Sequence, residues 1–281
     1  MFKNASKPKM RKPIPAYKAL AGYLKGASFS ELAHVGANVI TGSLGMKKPK
    51  IFAVGMNKAG TSSLHEIFVD NGYLSYHGIR WRSGRNKMLL NGFDCFSDGP
   101  PVDFKALDRG FPGSRFILNV REFDAWVLSR LKHITRDKKK RVGEIFPHDW
   151  DTTEESIEIW LQERDRHHAE VMTYFKDRPD DLLIVNFIRD PDAARKVARF
   201  LGKPEPDSKP WANPASGRGG APEHQIMLDA VLQRNGLDAR DAKRDLIMLR
   251  SDANAGLPMD TSELDGAPIV EDPVPAAPAS A

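Results

Sequence analysis

Two hydrophobic periods alternate along this chain. Apolar runs too short for a helix occur at 51–55 (IFAVG), 73–76, 93–96 (FDCF), 115–120 (RFILNV) and 182–187 (LLIVNF), and each reads as a strand. RFILNV is the clearest buried strand of the set. Between these runs the apolar spacing changes to three and four residues. This predicts helices over TSSLHEIFVDNG, over 102–108 after the Gly99-Pro100-Pro101 breaker, over REFDAWVLSRLKHITRD, over 152–176 and over 191–201, the last ending at Gly202. In 152–176 the stripe is Ile157, Trp160, Leu161, Val171, Met172 and Phe175, and Thr152 with Glu155 fits a capping box.

Strands alternating with helices imply βαβ units. The expected fold class is therefore α/β, a three-layer αβα arrangement with a central parallel sheet covered on both faces. After Gly202 the pattern loosens into KPEPDSKPWANPASGRGGAPE, a Pro/Gly-rich loop long enough to suggest a cover over a ligand. Helical character returns over 224–249. The acidic, proline-containing end is expected to be disordered. The expected division is a basic arm and helix at 1–48, a main domain at 49–251 and a tail at 252–281.

Charge sharpens that division. Residues 1–50 hold ten Lys/Arg against the single acid Glu31, residues 252–281 hold six acids and no Lys/Arg, and the region between is almost neutral. The arm has no uninterrupted apolar segment behind its charges, so a secretory signal is a poor fit. With the amphipathic stretch 16–40 it suits an anionic membrane surface, an acidic polymer or a partner, and the alternative is a helix packed on the domain. Apolar residues make up 41% of the chain without a run of eighteen, which argues against a membrane span. The lone cysteine, Cys95, excludes an internal disulfide framework and a structural zinc site, and a cytoplasmic location, with peripheral membrane contact through the arm, is the expectation.

The first strand runs into GMNKAGTSS. A parallel sheet binds ligands beyond the carboxyl ends of its strands, where loop amides and a helix N-terminus attract anions. Gly60 permits close backbone approach, Lys58 adds a mobile charge, and Ala59, Thr61, Ser62 and Ser63 add amides and hydroxyls. The ATP-binding P-loop needs a lysine after its second glycine, and here Thr61 holds that position.

A lysine inside the loop resembles instead the 5′-phosphosulfate loop of sulfotransferases that use 3′-phosphoadenosine-5′-phosphosulfate (PAPS), P-K-x-G-[ST]-[ST]. Lys58, Gly60, Thr61 and Ser62 match, and Asn57 replaces the usual proline or arginine. GSRFILNVREFDAWVLS is similar to the family's 3′-phosphate block, with Arg121 closing the strand and Ser129 eight residues on, departing at Glu122 and Phe123. LLIVNFIRDPDAARKVARFLGKPEP resembles a later family block, so the likeness covers about 51–206. It implies a P-loop-like sulfotransferase fold, PAPS as donor, adenosine 3′,5′-bisphosphate as product and no metal. It also implies Lys58 at the leaving phosphate, Arg121 and Ser129 at the 3′-phosphate, and Arg218 as a third ligand from the late glycine-containing loop.

Two residues compete as general base. Asp98 has the spacing to Pro100 and Arg121 of a family histidine, and its alternative role is turn formation before Gly99. His77 ends the strand near a family glutamate, and its alternative is a backbone-bonded histidine. His167 and His168 read as surface or interhelix residues. Arg80, Arg82, Arg85 and Lys87 surround Trp81 and suit an anionic acceptor such as an acidic or partly sulfated saccharide. Nucleic acid is not an expected partner. A P-loop nucleotide kinase or NTPase and a catalytically silent nucleotide-binding adaptor are the competing readings.

Overall fold

Five short parallel strands lie in the order β2-β3-β1-β4-β5. The computed structural model describes residues 28–140, 150–206 and 221–264. The strands are β1 (Ile51–Ala53), β2 (Ser75–His77), β3 (Cys95–Ser97), β4 (Arg115–Asn119) and β5 (Leu182–Val185). The major helices are α1 (Phe29–Ser43), α2 (Thr61–Asp70), α3 (Lys87–Gly92), α4 (Phe104–Gly110), α5 (Phe123–Lys140), α6 (Glu154–Phe175), α7 (Ala193–Phe200) and α8 (Pro222–Arg234). This is an α/β fold with an all-parallel central sheet, as the alternation of periods predicts.

Both sheet faces are apolar, so most strand residues meet a core whichever way they point. On one face Phe52, Phe96, Phe116 and Leu118 pack with Trp81 and with Val171 and Phe175 of α6. On the other, Ala53, Cys95 and Ile117 pack with Leu64, Ile67 and Phe68 of α2 and Ala194 and Val197 of α7. Phe52 stacks on Phe96 at 5.4 Å between ring centroids.

Several boundaries differ from the sequence reading, each for a local reason. β2 and β3 begin two residues later than 73 and 93. The Asp94 carboxylate accepts from the Leu74 amide (3.1 Å), and Phe93 caps α3, a helix the sequence reading does not contain, started by the Asn86 side chain accepting from the Leu89 amide (3.1 Å). The N-cap of α6 is Thr153, whose hydroxyl accepts from the Ser156 amide (3.1 Å), so the expected Thr152/Glu155 capping box does not form. The helix expected over 224–249 stops at Arg234, because Gly236 turns the chain at φ +68°. Within the expected tail, residues 252–264 are built into the fold. They form two short 3₁₀ turns, Met259 is buried, and the Thr261 amide and hydroxyl donate to Asp245 (2.8 and 2.7 Å).

α1 packs on α3 through two glycines. A Cβ on Gly92 would meet Val35 Cγ1 at 3.1 Å, and one on Gly42 would meet the Asn91 side chain at 2.5 Å.

A buried ion pair fastens the chain that follows α8. Arg164 Nη1 donates to Asp165 Oδ1 (3.1 Å) and its Nη2 donates to the carbonyls of Arg121 (3.2 Å) and Arg244 (3.3 Å). Asp165 Oδ2 accepts from the amides of Met248 and Leu249, both at 2.7 Å. Burial pushes the Asp165 carboxyl up against these stabilising contacts. Asp165→Ala would strand a buried guanidinium and two amides. Breaking a buried pair on one side costs about 3–5 kcal/mol, expected here as a lower urea midpoint at unchanged m-value.

Candidate active site

The site begins with carbonyl accounting in the loop between β1 and α2. Each backbone oxygen needs a donor, and four consecutive ones find it in side chains from distant elements. Asn119 Nδ2 donates to Met56 O (3.4 Å) and Ala59 O (3.0 Å), Trp126 Nε1 to Asn57 O (2.8 Å) and Arg121 Nη1 to Lys58 O (3.0 Å). Upstream, His167 Nε2 lies 2.8 Å from Val54 O, a bond it makes as the donor. Among the described residues no hydrogen bond takes up the amides of Lys58 to Thr61. The loop is thereby held as a run of free donors at a helix N-terminus, an anion site.

Backbone geometry agrees. Lys58 has φ +67° and Gly60 φ +84°, the latter as the N-cap of α2. Gly55 is fixed by crowding: a Cβ there would lie 1.9 Å from Asn119 O, while its amide donates to Asn119 Oδ1 (3.2 Å). Asn119 is the residue the sequence reading passed over. A polar side chain inside RFILNV was the available signal, since a buried amide must be bonded on all sides.

Asn57, the departure from the family pattern, is also clamped. Arg130 Nη1 donates to its Oδ1 (3.1 Å), and the Arg130 guanidinium lies 4.5 Å from the ring centroid of Trp160, 5.3 Å from Trp150 and 5.7 Å from Trp126. An arginine seated among three indoles and the tryptophan bond to Asn57 O supply the restraint that a proline ring would give.

His77 and Asp98 come to the same end of the sheet. His77 Nδ1 is 2.9 Å from Ser97 Oγ, and Nε2 is 3.4 Å from Ser62 Oγ on the first turn of α2. His65 stacks on His77 (5.4 Å) with its Nδ1 2.8 Å from Ser75 Oγ. Asp98 follows β3 at φ +96°, an uncommon conformation for a residue with a Cβ and a sign of a constrained position. Gly99 beside it packs against Asn57 and Arg82. Burial pushes the Lys58 ammonium down, Arg136 adds to that shift, and the Asp98 charge opposes it.

The other expected residues divide. Ser129 is half-buried on α5, two turns beyond the strand end. Arg218 and residues 1–27 lie outside the described residues. Trp81 is fully buried and donates its indole N–H to Ser97 O (2.8 Å), so it is unavailable as the platform for an acceptor. Arg82 Nε donates to Pro100 O (2.6 Å), Arg80 is half-buried, and Arg85 and Lys87 are exposed. His168 is buried, its Nδ1 2.8 Å from Leu246 O, a packing role rather than a surface one. No group of three or more His, Cys, Asp or Glu among the described residues is placed to hold a metal.

Residues 80–217 match the family model described as a sulfotransferase domain. The chain carries a sulfotransferase domain. The match includes Asp98, Arg121 and Ser129 and starts beyond the first loop, so Lys58 enters the site on geometry and on its own motif. None of the curated proteins compared with the chain matches it.

Burial disfavours the charged form of several of the domain's histidines. Burial pushes His65 from its ordinary 6.5 down to about 4, helped by the neighbouring His77, and it lowers His77, His167 and His168 as well. A folded-state value below the unfolded one means that the unfolded chain takes up protons first as pH falls. For His65 stability is therefore lost between about pH 6.5 and about 4. Urea midpoints should drop from pH 7 to pH 5, and His65→Gln should flatten part of that drop.

Proposed function

We propose that this sulfotransferase takes the sulfuryl group from PAPS and passes it to a hydroxyl or amine. The observation that carries the reading is the state of Arg121. Its Nη1 is bound to the first loop while its Nε is buried without a hydrogen-bond partner among the described residues. Burial pulls its guanidinium below the usual range, and Glu122 and Asp124 oppose that shift. An unmet buried donor on a cation beside a loop of free amides fits a ligand with two anionic groups. PAPS has that chemistry, with a phosphosulfate for the loop and a 3′-phosphate for Arg121 and Ser129.

The residues present suit the transfer. Loop amides and Lys58 neutralise charge on the phosphate oxygen released when the sulfur–oxygen bond breaks. The acceptor's oxygen or nitrogen forms the new bond to sulfur and gives up its proton. We assign that proton to the Asp98 carboxylate, because both ring nitrogens of His77 already face hydroxyls. His77 then orients Ser62. Like phosphoryl transfer, the reaction asks for positioning and electrostatics from the protein. Arg82 beside Gly99 and the Arg136 charge acting on Lys58 favour an anionic acceptor, an acidic or partly sulfated saccharide being the class we propose.

Lys58→Ala should leave the urea midpoint near wild type and reduce sulfuryl transfer by about 10²–10³-fold, the scale of losing one electrostatic stabiliser. Arg121→Ala should instead weaken adenosine 3′,5′-bisphosphate binding, measured calorimetrically without magnesium, by about tenfold or more. Magnesium-dependent ATP binding with no affinity for the bisphosphate would favour a nucleotide kinase. Bisphosphate binding without transfer to any acceptor in a screen with labelled PAPS would favour a silent adaptor.

A further inference from the structure

α1 has an apolar outer side in addition to its buried inner side. Its inner side, Val35 and Asn38, is buried against α3, where Asn38 Nδ2 donates to Gly92 O (3.3 Å). On the outer side Phe29, Leu32, Gly36, Ile40 and Leu44 follow one another at helical spacing and form a single stripe. Phe29, Leu32, Ile40 and Leu44 are 88%, 41%, 63% and 71% exposed, and Ala33 and Ala37 beside them are exposed too. Within the helix Glu31 and His34 are the only ionisable side chains. A surface helix normally turns a charged face to water, and an apolar one marks an interaction site.

The charge pattern selects the partner. Residues 1–27 carry seven Lys/Arg and no acid, and Lys47 and Lys48 are exposed just after the helix, so cations bracket the apolar stripe along the chain. The nearly neutral region 51–251 does not balance this excess, and the six acids of 252–281 offset it only in part. An anionic bilayer offers both an apolar phase for the stripe and a sheet of negative charge for its flanks. No helix among the described residues is long and apolar enough to cross a membrane.

We propose that the outer face of α1 docks on an anionic lipid surface, with Phe29, Leu32, Ile40 and Leu44 entering the headgroup boundary and the flanking cations held at headgroup level. Neither signal suffices alone. A four-residue stripe gives weak, reversible partition, and charge adds roughly 1 kcal/mol for each Lys or Arg near the surface. The proposal is independent of the donor reading above.

Sedimentation of the full chain with phosphatidylserine/phosphatidylcholine vesicles tests it, with phosphatidylcholine vesicles as the neutral arm. Two variants separate the signals: Ile40→Glu with Leu44→Glu, and Lys3→Glu with Lys7→Glu, Lys9→Glu and Lys12→Glu. Both alter exposed or terminal positions, and a urea midpoint near wild type confirms their folding. Expected is binding to the anionic vesicles that falls at least about tenfold in each variant and on raising salt to about 0.5 M. No binding to anionic vesicles overturns the proposal. Undiminished binding by the Ile40/Leu44 variant also does, since charge alone would then explain the contact. So does a dimer in light scattering that the Ile40/Leu44 variant dissolves, because a second copy would then cover the stripe.

Discussion

The site depends on the backward tethering of the first loop. Gly55 to Gly60 would satisfy their own carbonyls if they continued as regular structure, and no anion site would result. Instead Asn119, Trp126 and Arg121 take those oxygens from behind. They come from the end of β4 and from the segment and helix that follow it. A parallel pairing of β1 with β4, Ile51 opposite Arg115, puts that end directly beside the loop. Sheet register, a structural matter, therefore sets where the amides are left free.

The second layer of support comes from α6. Its Arg164 holds the carbonyls of Arg121 and Arg244, its Asp165 holds the amides of Met248 and Leu249, and its His167 holds Val54. One helix face thus fixes the strand leading into the loop, the arginine after β4 and the chain that closes over both. Arg164 sits over the Phe123 ring at 5.5 Å, so its charge is shielded by an aromatic face as well as paired. Networks of this kind tolerate removal of all members better than removal of one.

Sequence pattern made much of this legible, in proportion to how local the cause was. The strand runs, the helices over 123–140 and 154–175 and the unusual place of Lys58 all follow from spacing within a dozen residues. Arg121 was legible because it closes an unmistakable apolar strand. Asn119, Arg130 and Arg164 were not, because their partners lie 43 to 73 residues away and appear only when strands pair. Residues 252–264 were misread for a related reason. Their composition is polar, but Asp245, Asn186 and Arg189 give that polarity specific partners: Asn186 Nδ2 donates to Asp245 Oδ2 (2.8 Å) and Arg189 Nη2 to Asp260 Oδ1 (2.7 Å).

Arg121 joins the first loop to α6. Its carbonyl is anchored to α6, one guanidinium nitrogen is anchored to the loop, and a second buried nitrogen has no hydrogen-bond partner among the described residues. That nitrogen thus carries a desolvation cost at the junction of the two main supports. A ligand that meets that nitrogen relieves the cost, and the relief reaches the loop and α6 through bonds already in place. Ligand binding at Arg121 and stiffening of the loop and α6 would then be two readings of one free energy.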